Sequence, residues 1–277
     1  MKKRVSFKHN YVRFFFVLAI AIVYLFPLFY IVSMSFMQPS DLYAAKARLF
    51  PEVPVLDNYI SVLTGNIPIF SFLKNTIIMA VGVTVIQLFI CSITAYALVA
   101  LKVPGANIIF IIILGGMMIP FEATMVSNYL FVSNHGLRNT YLGLILPFMV
   151  SPAGIFLMRQ QFKAIPQALY DAAEMDGCNP FQLFFRILLP MSGNALASLG
   201  IFSMVSAWNQ YVWPLLVTGK NEMRTVQVGI SMLQGLEFSD YSVVMAGIVL
   251  VLLPCILIFG FGYRFFVFGL TDGAVKG

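Results

Sequence analysis

Three carboxylates, Asp171, Glu174 and Asp176, fall close together in sequence, interleaved with Ala172 and Ala173 and followed by Gly177. Acids at helical spacing beside small residues make and break no bonds by themselves. They pair with Arg or Lys on another surface, and the small side chains let two backbones approach closely. The surrounding residues define the element that would carry them. Pro166 suits the first turn of a helix, and 167–176 is rich in good helix formers. Gly177 can take the left-handed conformation that stops a helix. Asn179-Pro180 supplies an N-cap and a first-turn proline for a second helix, which Pro190 ends. The expected unit is a short helix, a tight glycine turn and another short helix. It lies in a segment, 159–194, far longer than the 2–8 residues or so that join neighbouring helices. A helix resting on a membrane surface would be basic. This one is acidic, which favours docking into another protein, although Asp171 and Asp176 can also be solvated or cap within the loop.

A second group, Trp208, Asn209, Tyr211 and Trp213, combines aromatic rings, which suit sugar faces, with a directional amide. An aromatic belt at a membrane interface explains the rings equally well. Asn209 is the better pathway candidate, since a belt does not need it. Glu122 and Asn128 form a third group. A carboxylate in an apolar run faces protein or water, so Glu122 binds a solute, pairs with Arg138 or meets a partner subunit. Met117 and Met118 are expected to pack.

Other chemistry is missing from the sequence. It holds no G-x-x-x-x-G-K-[ST], H-E-x-x-H, C-x-x-C or G-x-S-x-G. Cys91, Cys178 and Cys255 stand too far apart for a disulfide framework or metal site. His9 and His135 fall on opposite sides of the membrane in the topology below. No catalytic, cofactor or metal-binding residue is expected.

The elements that must position these groups are membrane spans. Of 277 residues 60% are hydrophobic and only 10% charged, with a mean hydropathy of +0.90. Soluble domains carry about 25% charged residues, so a soluble enzyme and a disordered tail are both excluded. Long apolar runs make the chain an all-α membrane protein. Six spans are expected, at about 14–36, 73–98, 107–129, 141–158, 195–217 and 242–264. The first is retained and is not a signal peptide, being too long and lacking a small-residue cleavage site. Pro27 should kink it. Pro147 and Pro152 break the fourth, and broken helices are tolerated where they line a cavity. Six spans put both termini on one side. That side carries Lys2, Lys3, Arg4, Lys8, Arg13, Lys102, Arg159, Lys163, Arg186, Arg264 and Lys276, the majority of the 17 Lys and Arg. Both termini are therefore expected in the cytoplasm. The organisation is a cytoplasmic N-terminus (1–13), one membrane domain (14–264) with a cytoplasmic loop at 159–194, and a cytoplasmic tail (265–277). Of the six spans, only the third has an ionisable residue in its interior, Glu122. A self-contained secondary carrier or channel built on Glu122 is the alternative function, and a membrane scaffold is a third.

The loop resembles the EAA loop of ABC importer permeases. Asp171-Ala172-Ala173, Asp176-Gly177 and Ile187-Leu188-Leu189-Pro190 match the family pattern E-A-A-x-x-D-G, nine residues, I-x-L-P, without a gap. Asp171 replaces the usual Glu and keeps the charge. The segment 207–215 and the tail 269–277 are similar to those of carbohydrate-type permeases, such as the six-span maltose and glycerol-3-phosphate permease subunits. The resemblance implies a type I ABC importer permease fold in the inner membrane of a prokaryote. It implies a second permease subunit, two ATP-binding subunits that hold ATP and Mg, and an extracytoplasmic solute-binding protein, with no nucleic acid. Asp171, Ala172, Ala173, Glu174, Asp176 and Gly177 would form the coupling helix that docks on the ATPase. Nucleotide would bias two states. Residues 37–72 and 218–241 would receive the binding protein. A sugar, oligosaccharide or related polyol phosphate is the expected solute. The spans show no basic groups, which leans toward a neutral one.

Overall fold

The computed structural model describes residues 7–42, 48–65, 67–101, 103–234 and 240–271. Residues 2–4, Lys46, Lys102 and the tail beyond Thr271 lie outside these, as do the side chains of Lys8, His9 and Arg264. Among the described residues every regular element is helical: α1 (Phe7–Met34), α2 (Asp57–Thr64), α3 (Ile69–Ala100), α4 (Ala106–Gly115), α5 (Phe121–Asn134), α6 (Tyr141–Ile145), α7 (Pro152–Ala164), α8 (Gln167–Met175), α9 (Gly193–Trp208), α10 (Val212–Val217), α11 (Val226–Gln234) and α12 (Tyr241–Thr271).

A span needs about 20 apolar residues. α1 and α3 meet that requirement as single helices, and α1 runs through Pro27. Three helix pairs are apolar and long enough only when taken together, and each is bent: Ala106–Met118 with Phe121–Asn134 at 93°, Tyr141–Phe148 with Pro152–Ala164 at 55°, and Pro180–Met191 with Gly193–Trp208 at 78°, the geometry of a broken span or a re-entrant loop. The 31-residue α12 is the last apolar helix. Each bend has a local cause. Ile119 is extended (φ −90°, ψ 111°), as a residue before proline prefers to be, and Pro120 opens α5. Ser151 is extended and caps α7, accepting from Gly154 N at 3.1 Å. The third bend falls at Ser192, whose hydroxyl bonds Leu188 O at 2.8 Å.

Two expected straight spans are broken. The third apolar run is not one straight span over 107–129; it turns at Pro120, so Glu122 sits in the first turn of a separate helix. The fifth run, 195–217, breaks after Trp208. The second loop helix ends at Met191, one residue past Pro190, and ahead of that proline residues 183–188 widen into π-helical turns, with Leu189 N reaching back to Phe184 O. Widening accommodates a proline that cannot donate. The helix α7 also continues to Ala164, past the expected loop start. Arg159 is therefore not an exposed loop cation. It is buried in α7, donating to Asn107 Oδ1 at 2.7 Å with its guanidinium 3.9 Å from the Phe110 ring centre.

The chain divides into two compact units, 1–69 with 230–253, and 70–229 with 254–277. In the first, most residues of Arg13–Met34 are exposed. The segment after α1 is held by Asn58, which donates to the carbonyls of Ser35 and Met37 at 2.9 Å each, and by Arg48 paired with Asp41 and Glu52. In the second, a core of Cys91, Tyr96, Phe110, Ile155, Met158, Phe162, Phe184, Leu188 and Leu199 joins the end of α3 to α4, α7, α9 and the second loop helix.

Candidate functional site

The loop after α7 folds as its punctuation predicts. Met175 is the last residue of α8, and Gly177 follows with φ +71°. Cys178 N bonds Ala173 O at 3.0 Å and Gly177 N bonds Glu174 O at 3.1 Å, the paired bonds of a Schellman stop. Asn179 and Gln182 then form a reciprocal capping box at 2.9 and 3.0 Å. Of the small residues, Ala173 is buried toward the protein and Ala172 faces out. Asp171, Glu174 and Asp176 are exposed, and Gln167 Nε2 donates to Asp171 Oδ1 at 3.0 Å.

Two tyrosines fasten this unit. Tyr96, near the end of α3, donates to Pro180 O at 2.9 Å and packs its ring 5.0 Å from that of Phe184. Tyr170 donates to Phe162 O at 2.8 Å. Burial, then the neighbouring Tyr96, pushes the Tyr170 phenol up from its ordinary value. Behind α8 lies a hollow of about 460 Å³, bordered by Tyr96, Ala100, Gln167, Tyr170, Glu174 and Cys178. The inner face of α8 is thus held at points and leaves space to move.

The outer face carries a feature that residue spacing did not flag. Met175 is 87% exposed and Phe181 73% exposed, one on each side of the glycine turn, and Phe185 is also exposed. Apolar side chains presented among acids on a rigid turn make a contact face. The signal is present in the sequence: Met175 lies between Glu174 and Asp176 on an acidic helix.

The pathway candidates divide. Trp208 is 2% exposed and Trp213 fully buried, with Nε1 donating to Gly143 O at 3.1 Å. Both are core residues, and neither forms a belt. Asn209 and Tyr211 are exposed at the break between α9 and α10, where Asn209 Nδ2 bonds Val205 O at 3.0 Å. Glu122 is exposed, and among the described residues it forms no ion pair; Arg138 lies 5.6 Å from the Tyr129 ring centre instead. Asn128 Nδ2 donates to Thr124 Oγ1 at 3.4 Å. Among the described residues no hydrogen bond joins Glu122, Asn128 and Asn209 to one another.

The segment 218–225 is pinned by Asn75, which donates to the carbonyls of Glu222 and Arg224 at 2.7 and 2.9 Å and accepts from Tyr141 Oη at 2.8 Å. Asn139, at φ 56°, accepts from the amides of Gly219 and Lys220 at 2.7 and 2.9 Å. Lys220, Asn221 and Glu222 are left exposed on a fixed loop.

Residues 7–271 match the family described as binding-protein-dependent transport system inner membrane component. The arabinooligosaccharides transport system permease protein AraQ of Bacillus subtilis (strain 168) is 36% identical over 264 residues, covering 95% of this chain and 94% of that protein. The sn-glycerol-3-phosphate transport system permease protein UgpE of Escherichia coli (strain UTI89 / UPEC) is 32% identical over 263 residues, covering 92% and 93%. A crystal structure of a bacterial ABC transporter involved in the import of the acidic polysaccharide alginate contains a chain that superposes with a TM-score of 0.83 at 25% identity, covering 96% of this chain and 99% of that one.

Proposed function

The chain belongs to the binding-protein-dependent transport system inner membrane components, the permease subunits of ABC importers, and from that premise we propose that α8 is its coupling element and a neutral sugar or oligosaccharide its solute. One observation carries the first part: the Schellman turn at Gly177 presents Met175, Asp171, Asp176 and Phe181 outward on a unit tied to the core through Tyr96 and Tyr170. A cleft on an ATP-binding subunit would take Met175 and Phe181 as apolar anchors, and its basic rim would take the acids. Such a complex has two ATP-binding subunits holding ATP and Mg, a second permease chain and an extracytoplasmic binding protein. The loop then faces the cytoplasm, and 218–225 with its exposed Lys220 and Glu222 faces the binding protein. Closure of the ATPase pair pushes α8, and α8 passes the push to α7 through Ile165-Pro166. The permease supplies no chemistry; nucleotide shifts a two-state equilibrium by its different affinity for each state.

The second part rests on the relatives and on the pathway candidates. AraQ serves arabinooligosaccharides and UgpE sn-glycerol-3-phosphate, so their names leave both neutral and anionic solutes open. The exposed Asn209 and Tyr211 suit hydroxyl-bearing rings, and the buried Arg159 is already engaged by Asn107 and Phe110. A secondary carrier on Glu122 finds little support, since that carboxylate is exposed in the first turn of α5 and forms no ion pair among the described residues.

The test is ATPase activity of the complex purified through this chain, with and without its binding protein and with arabinooligosaccharides or glycerol-3-phosphate, beside a Gly177→Asp variant. Stimulation of wild type that the variant loses supports the coupling role, and the stimulating compound identifies the solute class. Stimulation equal in both would overturn the coupling role; transport by the chain alone without ATP would overturn the whole reading.

A further inference from the structure

The break between α6 and α7 leaves a specific hydrogen-bonding gap. In a continuous helix the carbonyl of Phe148 would accept from the residue four positions on, which is Pro152 and has no N–H. In a membrane such a carbonyl must find another donor within the protein. The side chain of Gln87, on α3, fills the gap, with Nε2 donating to Phe148 O at 2.6 Å. The other end of the same carboxamide is occupied too: Ser203, on α9, donates to Gln87 Oε1 at 2.5 Å. Gln87 and Ser203 are both buried. One turn along the same face of α3, Cys91 Sγ meets Ser151 O at 3.4 Å. At Gly154 an added Cβ would come within 2.8 Å of Cys91 Sγ and 2.9 Å of a Leu199 methyl, so α3, α7 and α9 are already in close contact just past the break.

An isolated break would be a hinge. This one has its free carbonyl held by a side chain that is itself held by a third helix. On its far side α7 runs to Ala164, with only Ile165 and Pro166 between it and α8. We propose that Gln87, braced by Ser203, is a positioning residue for transport: it stiffens the α6–α7 break, so that displacement of α8 is carried along α7 and across the break to α6. Without it α8 and α7 still move, but the motion is absorbed at Met149–Ser151. This builds on α8 as the coupling element, and the experiment separates the two.

Hydrogen–deuterium exchange is measured on the full complex in nanodiscs, nucleotide-free and trapped with MgATP and vanadate, for wild type, Gln87→Leu and Ser203→Ala. In wild type, trapping should change exchange by about threefold or more in both 167–177 and 141–148. In Gln87→Leu the response at 167–177 should persist and that at 141–148 should vanish. Ser203→Ala should show the same loss in weaker form, and it decides the matter should the Leu variant fail to assemble. A general loosening of the fold would instead raise exchange across α9 as well. The proposal is overturned if both variants keep the wild-type response at 141–148, if exchange rises everywhere alike, or if wild type responds at 167–177 only. A wild type that responds at neither segment overturns this proposal and the coupling role of α8 together.

Discussion

The hydroxyl of Tyr96 donates to the carbonyl of Pro180 at 2.9 Å, a contact between residues 84 apart in sequence. It ties the end of a long apolar helix to the first turn of the second loop helix, directly after the glycine turn. Tyr96→Phe keeps the ring packing on Phe184 and deletes the bond. A buried hydrogen bond of this kind contributes about 1 kcal/mol. The expected outcome is a fold that still assembles, with binding-protein-stimulated ATPase reduced a few-fold, read from the ratio of stimulated to basal hydrolysis.

Gly177 gives a finer test of the turn. Its φ of +71° costs an ordinary L-residue about 1–2 kcal/mol, and Asn tolerates that conformation better. Among the described residues, apart from its own chain neighbours, nothing lies within 4 Å of a Cβ placed there. Gly177→Asn should therefore fold better than Gly177→Ala. If both lose ATPase binding equally despite that ranking, the loss measures contact with the partner and not backbone strain. Thermal unfolding alongside co-purification of the ATPase subunit separates the two effects.

Met175 and Phe181 are exposed, so truncating them leaves the isolated chain's stability within about 0.5 kcal/mol. As anchors in a partner's cleft, each should cost roughly 2 kcal/mol of binding on truncation. Met175→Ala and Phe181→Ala should weaken assembly with the ATP-binding subunit by more than tenfold, measured by titration in detergent, with an unchanged melting temperature.

The two residues Trp213 and Asn209 should separate stability from transport. Trp213→Ala empties a fully buried site and strands Gly143 O, a loss of about 3–5 kcal/mol. It should abolish recovery of folded protein. Asn209→Ala touches an exposed side chain and should leave melting unchanged while raising the KM for transport.

The Tyr170 phenol is pushed up by burial and by Tyr96. In the unfolded chain it ionises near pH 10; in the folded chain it stays protonated to higher pH. Above about pH 10 the unfolded state thus binds fewer protons than the folded one, and stability falls as pH rises. Melting temperature should be flat from pH 7 to about 9 and decline above it. Tyr170→Phe should remove part of that decline.

Local signals in the loop were legible because they act through the backbone. Gly177 can be read as a left-handed stop, Asn179-Pro180 as a cap, and, in the fourth apolar run, Pro152 as a break, because each constrains φ, ψ or a donor whatever surrounds it; the turn at Pro120 is not among these, since a proline inside an apolar run is equally compatible with a kinked continuous span. Pro190 acts in the same way as Pro152: the helix widens over 183–188 ahead of the missing donor and ends one residue beyond it, at Met191.

Sequence by itself determined the class, the apolar runs, the break in the fourth of them and the loop that carries Asp171 to Gly177. Tertiary structure decided which side chains face inward. Trp208 is core while its neighbour Asn209 is exposed, Arg159 is buried against Asn107 and Phe110, and Gln87 closes the gap that Pro152 leaves. The reason is physical. A soluble helix advertises its buried face by alternating with a polar one, but lipid is as apolar as a protein core, so a span apolar on every side gives no such stripe. What distinguishes the inward face of such a helix is the partner its few polar groups find, and Gln87, Ser203 and Phe148 meet only after three separate spans have packed.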